Sequence, residues 1–189
     1  MKVHRKQLAS GLYRRKFDVY LNSDTSQGPP GTGDDPGRLE GNLDSNWADE
    51  GPLTTINITN GITTGDTHVV SGVFLPNETG NWDFRLRCDD AGYMWIGFNA
   101  EDLEWDLTRE TATIQEGGSH APSNGDATIS LTAGVYYAIK IMVGDRGGGD
   151  AFIFDFKGPS EGSLSDTARD GTGFFFHNPY APNGYNLDS

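Results

Sequence analysis

Trp82-Asp83-Phe84-Arg85-Leu86-Arg87-Cys88 alternates without a break between apolar and charged side chains. This period of two belongs to a strand with one face on a core and the other in water. The pattern returns at 152–156, where Phe152, Phe154 and Phe156 oppose Ile153 and Asp155. Around these two segments lie further pieces rich in β-branched and aromatic residues, at Thr54–Ile58, His68–Leu75, Tyr93–Phe98, Ala127–Leu131 and Tyr136–Val143. Turn residues such as Pro76-Asn77-Glu78-Thr79-Gly80 and Thr132-Ala133-Gly134 punctuate them. No stretch holds a helical period with caps; Glu101–Thr113 has room for one turn, and no internal repeat is present. The pattern predicts an all-β fold, an antiparallel β-sandwich with long loops.

The chain has 189 residues, the size of one domain, with 10 Phe, 7 Tyr and 4 Trp to fill a core. Apolar runs reach only about five residues, far short of the roughly 20 a bilayer-spanning helix needs, so no membrane insertion is expected. Cys88 is the single cysteine, which excludes an internal disulfide and any cysteine-rich metal site. Charge is unevenly spread. Lys2, Arg5, Lys6, Arg14, Arg15 and Lys16 precede Phe17 with no acid among them, and from there on eight basic residues stand against 27 acidic ones. Such a body repels nucleic acid and membrane surfaces and favours cations, calcium among them.

Residues 1–16 therefore stand out as a basic N-terminal arm, either a solvated leader or a contact for an acidic partner surface or nucleic acid. Residues 22–52, dense in Gly, Pro, Asp and Asn, are expected to form a long loop. The segment 159–189 reads as a glycine-rich tail carrying Phe174-Phe175-Phe176, Tyr180 and Tyr185. Those aromatics need a surface, supplied by the sandwich itself or by a neighbouring subunit. Subunit contacts, if made, would run through 1–16 and 174–189. No apolar segment of signal-peptide type follows Met1–Lys6, which points to action at the place of synthesis, release by lysis as part of a virus particle, or excision from a larger exported protein.

A nucleophile elbow, a Walker A loop, an H-E-x-x-H zinc motif and a complete EF-hand loop are all missing, and His4, His68, His120 and His177 are scattered singly. No pair among the many acids is singled out for glycoside chemistry. The expectation is that the chain is not an enzyme. Asp89-Asp90 stands apart, between an alternating strand and the apolar run Tyr93-Met94-Trp95-Ile96-Gly97. Adjacent residues of an extended chain point to opposite faces, so both carboxylates meet one ion only where the backbone bends between them; otherwise the pair is a solvated turn.

The stretch Gly72–Gly97, with Pro76-Asn77-Glu78-Thr79-Gly80-Asn81-Trp82 and Cys88-Asp89-Asp90-Ala91-Gly92 inside it, closely resembles the anthrax protective-antigen-type (PA14-like) lectin domain family, and especially its GLEYA branch of yeast flocculins and adhesins. Leu131-Thr132-Ala133-Gly134-Val135-Tyr136-Tyr137, Gly147-Gly148-Gly149 before Ala151-Phe152, and Gly11-Leu12-Tyr13 fit the same family, so the resembling domain spans 11–158.

The resemblance implies a Ca2+ ion held by two aspartates joined through a cis peptide, Asp89 and Asp90, with a second loop at Gly144–Asp150 adding Asp145 and the carbonyls of Gly147 and Gly149. Arg146 and Asp150 would hydrogen-bond sugar hydroxyls, and Tyr93 or Trp105 would stack on a pyranose face. Asp145 stands where flocculins usually carry Asn. The implied function is calcium-dependent carbohydrate binding for adhesion, with cell-surface glycans as partners, at an extracellular or virion surface. The alternative is a structural virion protein, a capsid decoration or tail subunit assembled through its ends.

Overall fold

The computed structural model describes residues 8–18, 49–59, 65–97, 112–117, 121–148 and 150–179. Within them run twelve strands: β1 (Ala9–Ser10), β2 (Leu12–Phe17), β3 (Asp49–Leu53), β4 (Asn57–Ile58), β5 (Thr67–Phe74), β6 (Gly80–Cys88), β7 (Ala91–Gly97), β8 (Ile114–Glu116), β9 (Ser123–Leu131), β10 (Tyr137–Gly144), β11 (Phe152–Lys157) and β12 (Phe175–His177). They form two antiparallel sheets packed as a sandwich. The larger sheet runs β1-β12-β5-β10-β7-β8, with β2 on the edge of β5 beside β12 and β3 outside β2; the smaller runs β4-β11-β6-β9.

The alternating segments do what their period demands. Trp82, Phe84, Leu86 and Cys88 from β6 and Phe152, Phe154 and Phe156 from β11 all point inward and are buried. They meet Val70 and Phe74 of β5, Met94 of β7 and Ile139, Ile141 and Val143 of β10 from the opposite sheet. Phe74 is the hub, with Trp82, Phe84 and Phe156 edge-on to it at centroid distances of 5.1, 5.4 and 5.4 Å. Edge-to-face rings align the positive rim of one with the negative face of another.

One expectation about the ends is corrected, and one of two open readings is met. From Leu12 onward the basic segment is no free arm: β2 pairs with β5 on one side and with β3 on the other, and Leu12, Arg15 and Phe17 are buried. Distant acids make this tolerable, with Glu50 3.6 Å from Arg15 and Asp66 2.8 Å from Lys16. For Phe174-Phe175-Phe176 the surface is the sandwich itself, one of the two expected. Phe175 is buried against Phe74, Phe154 and Phe156, and β12 hydrogen-bonds β5 and β1, so a chain cut to 17–158 would lose β1, β12 and nearly all of β2 from one side of β5. The expected loop 22–52 ends inside β3, and the strand expected over Thr54–Ile58 shrinks to β4, with Thr55 bridging to Asp170. Tyr136 lies outside β10 and is exposed. Trp105, Gly149, Tyr180, Tyr185 and most of Glu101–Thr113 lie outside the described residues.

β2 and β12 converge on the edge of β5 at Gly72. A Cβ there would sit 2.8 Å from Leu12 Cδ2 and closer still to the carbonyl oxygen of Phe176. Only a hydrogen fits between a backbone and a core leucine, so Gly72→Ala is expected to destabilise the fold by about 1–3 kcal/mol, as overpacking does. Urea denaturation followed by tryptophan fluorescence checks this, and an unchanged midpoint would contradict the close approach.

Candidate functional site

The site lies at one end of the sandwich, where β6 leaves the small sheet and β7 enters the large one through only Asp89 and Asp90. The expected cis peptide is absent among the described residues; the bend comes instead from Asp90, at φ 58°. A left-handed residue reverses the chain as a cis bond would, and Asp is among the few side chains that enter that region readily. Asp89 N–H donates to the Ala151 carbonyl at 2.9 Å, tying the corner to β11. Gly92 completes the corner, since a Cβ there would meet Cys88 Sγ at 2.5 Å.

Register then brings the acids together. Ala91 pairs with Gly144, so one step beyond the ladder Asp90 stands across from Asp145. One oxygen from each of Asp89, Asp90 and Asp145 lies within 4.8 Å of the other two, and all three residues are buried. Arg146 N–H donates to Asp90 Oδ2, and Gly147 N–H donates to Asp145 Oδ1 at 2.8 Å. Asp145 Oδ2 is buried with no hydrogen-bond donor among the described residues. Burial pushes the Asp145 carboxyl up to about 6, and Asp90 pushes the same way against the pull of the Gly147 N–H. Glycines at 147 and 148, with φ 131° and 118°, carry the second loop through conformations that side chains rarely adopt.

Calcium binds six to eight oxygens at about 2.4 Å, so two of its ligands are at most about 4.8 Å apart. The three carboxylates meet that limit, and an unsatisfied, fully buried carboxylate oxygen is the kind of atom a cation completes. Of the other expected site residues, Arg146, Gly147 and Asp150 are half-buried around the second loop. Tyr93 is a correction: it is fully buried, on the face of β7 opposite Met94, and stacks on Trp95 at 5.9 Å and 28°, leaving no free face for a sugar ring. Trp105 and Gly149 fall outside the described residues. Asp66, discussed below, belongs to the same end of the sheet. It lies in no motif, and its only signal is an acid immediately before a strand.

Residues 67–158, just under half of the chain, match the GLEYA domain family. Among curated proteins no sequence matches. Solved structures share the fold. The Epithelial Adhesin 6 A domain from Candida glabrata, in complex with Galβ1-3GlcNAc, has a TM-score of 0.63 at 18% identity, covering 90% of this chain and 88% of that one. The subtype-switched Epithelial Adhesin 9 to 1 A domain from the same organism, in complex with β-lactose, gives 0.61 at 15%, covering 89% and 88%. The PA14 domain of the MpAFP antifreeze protein gives 0.61 at 14%, covering 96% and 99%. At these identities the likeness is one of fold, and the GLEYA match falls within the same sandwich, over β5 to β11.

Without a metal, the folded state holds the Asp145 proton up to about pH 6, while the unfolded chain releases it near the ordinary 3.8. The group's favourable contribution is therefore full below about pH 4 and lost as pH rises through about 6. Asp145→Asn keeps Oδ1 for Gly147 N–H and removes the charge. In chelator at pH 7 it is expected to be more stable than the parent by on the order of 1 kcal/mol, with the gap closing below about pH 4. Calorimetry across that range tests it; a variant no more stable than the parent at pH 7 would speak against an uncompensated buried charge.

Proposed function

We propose that the chain is a carbohydrate-binding, adhesin-type module in which Asp89, Asp90 and Asp145 hold a calcium ion. The observation that carries this reading is the convergence of three buried carboxylates from two loops, one of them with an oxygen that has no donor among the described residues. Bound there, calcium supplies coordination positions that vicinal sugar hydroxyls fill. The protein's own part is to hold the three carboxylates in place; in this reading the backbone carbonyls of Gly147 and Gly149 are the further ligands, glycine being the residue that lets a backbone turn its oxygens toward an ion. Arg146 and Asp150 flank that point and serve as hydrogen-bond partners for further hydroxyls; Trp105 is the stacking residue in this reading. It assigns no catalytic residue and fits a role at a cell surface or outside the cell.

The bound sugars of the two Candida glabrata domains, Galβ1-3GlcNAc and β-lactose, both carry a β-linked galactose, which makes β-galactosides the first ligands to test. The virion-subunit alternative assembles through the chain ends, whose described parts belong to the sandwich.

Calcium is expected to raise the melting temperature, because an ion bound only by the folded state stabilises it by about 2.7 kcal/mol at a hundredfold excess over its Kd. Excess chelator at matched ionic strength should reverse the shift, and Asp89→Ala should abolish it. β-Galactosides followed by NMR should bind with Kd of about 0.1–10 mM, the range for small polar ligands, and only with calcium present. Calcium-loaded protein that ignores every saccharide offered would return the chain to an assembly role.

A further inference from the structure

Lys16 belongs to the basic stretch that the sequence presents as an arm, yet the fold sets it near the end of β2 at the carboxylate pole. Its Nζ lies 2.8 Å from Asp66 Oδ2 and 3.4 Å from Asp18 Oδ1, and the Lys16 and Asp66 side chains are 21% and 6% exposed. Asp66 is not one of the three clustered carboxylates. Its connection to them runs through the backbone. Thr67 pairs with Gly144, so Asp66 stands across from Asp145 on the β5 side as Asp90 does on the β7 side. The two main chains clasp each other: Gly65 N–H donates to the Asp145 carbonyl at 2.8 Å, and Asp145 N–H donates to the Asp66 carbonyl at 3.1 Å.

We propose that Lys16 and Asp66 are positioning residues for the calcium site, their ion pair pinning Gly65-Asp66 and, through that clasp, the main chain of Asp145. The inference rests on the calcium reading and deepens it by naming what fixes the second loop. Residues 65–66 and 145 lie just past the last rungs of the β5–β10 ladder, where strands open most easily. Two backbone hydrogen bonds hold them, and the part-buried ion pair adds a side-chain anchor that solvent screens only partly. The Asp66 carboxylate holds the Lys16 ammonium above its ordinary pKa, in keeping with a close pair.

Charge and position predict opposite outcomes when Lys16 is neutralised. With Lys16→Met the buried Asp66 loses its cation, and an added negative charge near the site would by itself draw calcium in more tightly. Loss of positioning weakens binding instead, typically tenfold or more when a group that orients a metal ligand is removed. Two measurements on the full chain decide it. One is calcium titration by isothermal calorimetry. The other is amide hydrogen exchange in chelator, comparing Gly65 and Asp145 with core amides of Phe84 and Phe154.

In Lys16→Met calcium binding is expected to weaken about tenfold, with faster exchange at Gly65 and Asp145 and unchanged exchange in the opposite sheet; Lys16→Arg should restore both. Unchanged or tighter calcium binding, or clasp amides that exchange at the parent rate, would overturn the proposal. If the parent binds no calcium, the calcium reading fails, and the positioning pair is judged on the exchange rates alone. Should Lys16→Met not fold, Asp66→Asn is measured in its place, and parent-like exchange at Asp145 overturns the proposal.

Discussion

Between Cys88 and Ala91 the chain has three Cα steps, about 11 Å at full stretch, in which to leave one sheet and enter the other. Packed sheets stand about 10 Å apart, so the connection has almost no slack. The consequences spread outward from that limit. Space at the corner is tight: Cys88, Ala91 and Ala151 are buried there, and a Cβ on Gly92 would strike the side chains of Cys88 and Leu86. The two linking residues sit at the mouth of the sandwich with their backbone turned by the left-handed Asp90. The antiparallel pairing of β7 with β10 follows at once, and with it the meeting of Asp90 and Asp145.

That meeting has an energetic cost. Three carboxylates taken out of water repel one another and are poorly solvated, and a buried acid responds by holding its proton. Asp145 does so, while Gly147 N–H satisfies one of its oxygens and leaves the other. A fold carrying such a cluster gives up stability there and recovers it in the aromatic core around Phe74. The balance fits a site built for a cation better than one built for structure alone.

How much of this the sequence exposed depended on whether a residue's environment was local. The strands β6 and β11 were legible because one face is core and the other water, which writes a period of two into Trp82–Cys88 and 152–156. β2 was not, because Arg14-Arg15-Lys16 looks like a solvated arm until Glu50 and Asp66, far along the chain, are brought beside it. β12 is three residues long and owes its place to β5, not to any pattern of its own. Asp89, Asp90 and Asp145 were legible through a family resemblance, whereas the trans bend at Asp90 was not. Tyr93, named through the resemblance, is buried because the first part of β7 is covered on both faces, which nothing in its local sequence separates from a strand with one open face. Asp66 was invisible, since its relation to Asp145 is a matter of register between two strands seventy residues apart.

The pairing of Ala9 with His177 puts both terminal strands side by side at the end of the sandwich opposite the carboxylates. β5 alone carries that separation, from Thr67 at the acidic pole to Phe74, about 23 Å by its rise per residue. A load applied between the acidic pole and either terminal strand runs along the direction of β5. Pulling the two terminal strands apart instead peels β1 from β12 one rung at a time, a far gentler way to open the domain. Force therefore reaches the sandwich by two unequal routes, along the strands or across the short seam between β1 and β12.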